Sequence, residues 1–280
     1  EAARGVAKEG VELGNKAGDG WISAHVEFSL GVSMAYLRHP DAVPMLTQAL
    51  DGFRDFSDLF CIAAVRLWLA LAYFETGQAE HALAAINETL TLSQAHGYDF
   101  LFTKVSLLGL PDVRRILPLL LQAQQNVQYT RYVGDLLTKL GLPNLEFHPG
   151  YQLRISTLGG FRVWRGEHEL QSTEWQRDKA RQLFQFLLVN RGRRLQREEI
   201  TESLWEGSKP DAAWRDFRVA LNALFKALEP NRESEAPSAY IGRDNTTYFL
   251  RPEADLWLDC AQFEQACRSN DFGRALALYQ

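Results

Sequence analysis

The sequence predicts a mainly α protein with a small β component, divided into two domains, and three observations carry that prediction. Residues 1 to about 140 show one helical pattern after another and almost no alternation of period two. That region also matches itself at an offset of 37 residues. The remainder is ordered differently: alternating strands, three amphipathic stretches, then a short alternating hairpin. A chain of 280 residues with 46% hydrophobic and 11% aromatic residues is long enough to bury two cores.

In the first part, AYLRHPDAVPML (35–46) aligns with AYFETGQAEHAL (72–83). Small Ala35 and Ala72 sit where helices cross closely, breaks follow at His39-Pro40 and Thr76-Gly77, and Ala42 and Ala79 open the next helix. A period of that size suits stacked helical pairs. These residues resemble tetratricopeptide repeats, which implies a TPR-like sensor or interaction domain over 1–142. The segments LSQAHGYDFLF (92–102), PDVRRILPLLLQ and YTRYVGDLLTKLG resemble the C-terminal end of the helical sensor region of MalT-like regulators. Trp68, Tyr73, Phe74 and Tyr98 read as repeat core.

GLPNLEFHPGYQ (141–152) carries two Pro and two Gly without helical periodicity, so 143–151 is read as a linker. Beyond it, LRISTLGGFRVWRGEHEL alternates at Leu153, Ile155, Phe161 and Val163, with turns at Gly159-Gly160 and Gly166, and predicts a small antiparallel sheet. Helices are expected over Lys179–Asn190, with Ala180, Leu183, Phe184, Leu187 and Leu188 inward, and over Arg197–Trp205. A third, 212–228, follows. AYIGRDNTTYFLRP reads as a hairpin turning at Asp244-Asn245.

The third helix poses the functional question. Trp214, Phe217, Leu221, Leu224 and Leu228 share one face, while Arg215, Arg218, Val219, Asn222 and Lys226 share the other. That wet face has three bases against one acid, Asp216. An isolated helix of this kind reads as a solvated one whose Arg stems cover apolar surface.

Charge and motifs narrow the function classes. Formal net charge is −5: 11 Lys and Arg stand against 16 Asp and Glu up to residue 150, and 19 against 19 after it. Local density differs, since Arg177, Lys179, Arg181, Arg191, Arg193, Arg194 and Arg197 crowd one stretch with Asp178 as its only acid. Patch charge rather than net charge governs contact with a phosphate backbone. No GxxxxGK[ST], HExxH or GxSxG pattern occurs, the six His are scattered, and no enzyme, cofactor or metal is expected. Cys61, Cys260 and Cys267 lack a CxxC spacing and read as buried thiols rather than a disulfide or zinc framework. No run of about 18 apolar residues exists, and EAARGVAKEG has no targeting pattern, so a cytoplasmic protein without membrane contact is expected; the start at Glu1 suggests an excised fragment.

The order of sheet, three helices and hairpin resembles the winged-helix domain of OmpR-type regulators, in the version found in SARP-type transcriptional activators. Leu153, Ile155, Leu158-Gly159, Phe161, Val163 and Gly166 carry the match in the sheet. Lys179-Ala180-Arg181, Leu183, Arg191-Gly192, Leu204-Trp205, Pro210 and Ala213 carry it in the helices. WLDCAQFEQA (257–266), with Asp259 and Phe263, resembles the start of the bacterial transcriptional activation region that follows this domain. The sequence departs from the family at Phe225-Lys226 in place of paired Arg, at Thr247-Tyr248 in place of Gly-Tyr, and at Gln196, a poor N-cap.

The resemblance implies a winged helix over 152–254 and the start of a helical activation region over 255–280, cut at Gln280. It also implies double-stranded DNA as partner, with a homodimer on repeated sites, an unidentified effector at the repeats, and RNA polymerase as a further contact of the 206–213 loop. Arg215, Arg218, Val219 and Asn222 would then meet base edges, for Arg suits guanine, Asn suits adenine and Val a thymine methyl. Lys226, Arg177, Arg181, Arg193, Arg194, Arg243, Asn245 and Thr246 would meet phosphates, which position without specifying sequence. The rival expectation is a helical-repeat scaffold whose winged helix binds protein instead.

Overall fold

The computed structural model describes Glu9, Gly10, Gly14, Lys16 and residues 18–279; most of the EAARGVAKEG segment, and Gln280, lie outside the described residues. The fold is mainly helical with small sheets, and the chain divides into two compact units, 1–144 and 145–280.

The first unit is built from helices α1 (Gly20–Tyr36), α2 (Ala42–Asp55), α3 (Leu59–Glu75) and α4 (Ala79–His96), followed by the short α5 (Phe100–Thr103), a 3-10 turn (Val113–Ile116), α6 (Leu117–Gln124) and α7 (Thr130–Lys139). Helices α2 and α4 open at Ala42 and Ala79, the two positions that the 37-residue offset pairs. α3 is apolar on nearly every side, from Cys61 through Ala72, and is accordingly the buried helix of the unit, touching both α2 and α4. Close approach of α1 and α2 depends on small residues: a Cβ on Gly31 would stand 2.7 Å from Leu46 Cδ2, and one on Gly52 would stand 2.8 Å from the Ala24 methyl. Of the aromatics read as repeat core, Trp68 is buried and donates its indole N–H to the Leu108 carbonyl, whereas Phe74 is exposed. Among the described residues no helix is long and apolar enough to cross a membrane.

The second unit begins with β1 (Leu153–Ser156), β2 (Arg162–Arg165) and β3 (His168–Glu169), then a 3-10 turn (Ser172–Trp175). Next come α8 (Asp178–Val189), β4 (Leu195–Gln196), α9 (Arg197–Leu204) and α10 (Pro210–Leu228). The chain closes with β5 (Ile241–Asp244), β6 (Thr247–Leu250), β7 (Leu256–Leu258), α11 (Asp259–Arg268) and α12 (Phe272–Leu278). The first sheet has the order β3-β2-β1-β7 and the second β4-β6-β5.

Three sequence expectations change here. The first sheet is mixed rather than antiparallel, because β7 pairs parallel to β1 with Leu153 opposite Leu256 and Ile155 opposite Leu258; a three-residue strand is too short to show a period. A domain boundary at 254 would therefore cut through this sheet. The predicted linker is also largely folded onto the second unit: Leu145 and His148 are buried, Phe147 lies under the Arg251 guanidinium, and His148 Nε2 faces Asp255 Oδ2 at 3.5 Å. Its Pro and Gly break helix periodicity, but they say nothing about burial. Finally, the hairpin turns at Asn245-Thr246, one residue later than expected, with Asn245 at φ 53°. Asn is among the few residues that tolerate that region in a two-residue turn.

Asp259 ties the end of this unit to its beginning. Its carboxylate accepts from the Thr157 and Leu158 amides at 2.7 and 2.9 Å and from the Ser156 and Thr157 hydroxyls, each at 2.8 Å. Burial alone would raise its pKa, but these donors outweigh burial and hold the carboxyl below its ordinary value. The residue assigned from the sequence to a following region thus closes the β1–β2 turn.

Candidate nucleic-acid interface

α10 starts with Pro210 at its first position after Lys209, where a missing N–H costs nothing. Phe217, Ala220, Leu221, Leu224 and Leu228 are buried in the core of the second unit. Phe217 fixes the helix on three sides, stacking on Trp214 (5.6 Å between centroids) and meeting Trp205 (6.2 Å) and Tyr248 of β6 (5.0 Å) edge-on.

The far end is held by donors to the orphan carbonyls that every helix C-terminus presents. Arg165 Nη1 donates to the Ala227 carbonyl at 3.1 Å and the Tyr151 hydroxyl to that of Leu228 at 2.8 Å. Next to it, buried Glu229 accepts from the Ser238 hydroxyl and from the Ala239 amide (2.8 Å); burial pushes its pKa up against the pull of these bonds. The middle of α10 is therefore packed against β6 and its C-terminal end is held from β2 and from the residues before β1, so its outward side chains project from a supported helix.

Arg215, Arg218, Val219, Asn222 and Lys226 are all exposed. Arg218 and Asn222 line a groove of about 640 Å³ that α10 forms with the 232–238 loop and the hairpin; Arg243 of β5 lines its other wall. Arg232 and Trp214 also line it and were missed by sequence reasoning. Arg232 stands over the Phe225 ring at 4.5 Å, a contact between loop and helix with no periodic signature. Tyr248 at the groove has its pKa raised by burial, partly offset by Arg243, Arg197 and Arg218.

The phosphate set is not brought together as a whole. Arg243 Nε donates to the Asn245 carbonyl at 3.1 Å, and Thr246 reaches Gln196 Oε1 at 3.1 Å, so Arg243, Asn245 and Thr246 cluster at the hairpin tip. Gln196 makes no cap hydrogen bond to α9, its side chain being turned to the hairpin instead. Arg193 is committed to Glu199 at 2.7 Å and to Asn190, and Arg194 faces Asp244 at 3.5 Å while covering the Phe249 ring. Arg191 pairs with Glu264, and Arg197 with Glu198. The basic stretch legible in the sequence is thus largely neutralised by acids that are distant or adjacent in sequence. Arg177 and Arg181 are exposed at the first turn of α8, and neither lines the α10 groove. Arg215 lies 3.5 Å from Asp216, so this base also has an acid at hand.

The arrangement offers hydrogen-bond donors and positive charge on a fixed convex helix beside a hairpin. A scan against protein-family models matches none of them, and a search of curated proteins finds no match.

Proposed function

We propose that the chain is a sequence-specific DNA-binding transcription regulator, similar in its second unit to OmpR-type winged helices of the SARP kind. In this reading α10 enters the major groove, which is about 12 Å wide and admits one helix. Arg218, Val219 and Asn222 read base edges, with Arg215 beside them. The β5–β6 hairpin acts as the wing, and Lys226 and Arg243 contact phosphates. Arg193 and Arg194 serve to hold β4 and the hairpin in place, and take part in phosphate binding only if their carboxylate partners release them. The first unit is read as TPR-like, serving as the sensor or partner platform.

One observation carries this reading: Arg218, Val219 and Asn222 stand exposed on one stripe of a helix whose opposite face is buried and whose C-terminal end is held by Arg165 and Tyr151. Mobility shift of upstream DNA by the wild type and by an Arg218→Ala/Asn222→Ala variant tests it. Salt-dependent, sequence-selective retardation that the variant loses supports the reading. Retardation of no DNA at any salt leaves the protein-binding scaffold in its place.

A further inference from the structure

We propose that His25, Asp58 and Cys61 form a zinc site in the first unit, with a fourth coordination position open to water or a small ligand. His25 comes from α1, Asp58 is the residue before α3, and Cys61 lies in the first turn of α3. One donor atom from each lies within 4.8 Å of the others, and His25 Nε2 is 3.8 Å from Cys61 Sγ. Around a tetrahedral zinc, with bonds of about 2.0–2.3 Å, neighbouring donor atoms stand roughly 3.3–3.8 Å apart. The His–Cys pair therefore already has nearly the right separation, and no pair needs to close by more than about 1.5 Å.

The surroundings are those of a ligand set. Carboxylates and imidazoles that bind metal are held by outer hydrogen bonds and packing. Here the Trp21 indole N–H donates to Asp58 Oδ2 at 3.1 Å and the Cys61 amide to Oδ1 at 3.0 Å. The His25 ring is wedged edge-on between Trp21 (4.1 Å) and Phe53 (4.8 Å). One thiolate, one imidazole and one carboxylate form a borderline donor set, which suits zinc and does not suit magnesium or calcium, whose ligands are oxygens. Cys61 is buried while His25 and Asp58 are half-exposed, so a cation can reach the cluster from the carboxylate side.

Binding at this site is coupled to proton release. Zinc displaces the Cys61 thiol proton: the S–H bond breaks, the S–Zn bond forms, and one proton leaves to solvent. The metal would then clip α1 to the start of α3, joining residues 36 apart in sequence. This site does not depend on the DNA-binding reading, because all its residues lie in the first unit.

Cobalt(II) titration of the full chain tests it. The expected result is saturation at a single equivalent, with thiolate-to-cobalt charge transfer in the near ultraviolet and the intense visible bands of tetrahedral cobalt, both abolished by added zinc. Cys61→Ser removes the charge-transfer band and Cys260→Ser/Cys267→Ser retains it. Trp21→Phe keeps the band and weakens affinity about 10- to 100-fold. Circular dichroism reports whether each variant is folded; should Cys61→Ser not fold, the same loss of affinity is read from His25→Gln. Absence of the band in the wild type, or its survival in a folded Cys61→Ser variant, overturns the site.

Discussion

If α10 enters DNA as proposed, the exposed bases around it set how steeply affinity depends on salt. Arg218, Lys226 and Arg243 have no ion pair among the described residues, whereas Arg193, Arg194 and Arg215 each lie within 3.5 Å of an acid. A guanidinium that must first leave a carboxylate releases few net counterions from DNA, so the α10 face of one copy is expected to release counterions equivalent to about three phosphates, two through the phosphate contacts of Lys226 and Arg243 and one through Arg218 in the groove. The slope of log affinity against log salt is then about −2.7, and affinity drops about 40-fold between 50 and 200 mM salt. Two copies on a repeated site double the slope to about −5.4. Lys226→Ala and Arg243→Ala each flatten it by about one and weaken all sequences alike, while Arg218→Ala also relaxes preference at one base pair. Fluorescence anisotropy of a labelled duplex across that salt range measures this. A flat response, or one that the Lys226→Ala/Arg243→Ala variant leaves unaltered, refutes the reasoning.

Further outcomes follow from the packing. Phe217→Ala empties a fully buried ring site shared with Trp205, Trp214 and Tyr248; chemical denaturation is expected to show a loss of about 3–5 kcal/mol. Asp259→Ala leaves the amides of Thr157 and Leu158 and two hydroxyls without their acceptor, at a cost of about 3 kcal/mol or more by the same measurement. Because the folded pKa of Asp259 is depressed, its contribution is fully present above the unfolded value of about 3.9 and is lost as pH falls below that toward the folded pKa. Thermal scans across that window should show a steeper decline for the wild type than for Asp259→Asn. Gln196→Ser supplies a helix cap that α9 lacks but gives up the contact to Thr246, and a net gain of about 0.5 kcal/mol in the same denaturation is expected.

Local periodicity made much of the fold legible. The face of α10 that holds Phe217 and Leu224, the opposite face with Arg218 and Asn222, and the helix starts at Ala42 and Ala79 all follow from spacing, since a 3.6-residue repeat forces neighbours onto one side whatever surrounds them. Asn245 announced its turn because few residues tolerate its backbone angles. Tertiary structure decided what spacing cannot carry. It set β7 beside β1, 103 residues away, folded the Pro- and Gly-bearing 145–151 segment onto the second unit, and turned Asp259 into the closure of a distant strand turn. It also sorted the arginines. Whether a guanidinium is free or neutralised depends on which carboxylate lies within a few ångströms, as Glu264 does for Arg191 and Asp244 for Arg194, and those partners are 73 and 50 residues away. His25 and Cys61 came together in the same way, through the packing of two helices rather than through any motif. Side-chain periodicity is a property of one backbone segment, but charge compensation and ligand clusters are properties of space between segments, and only the folded chain defines that space.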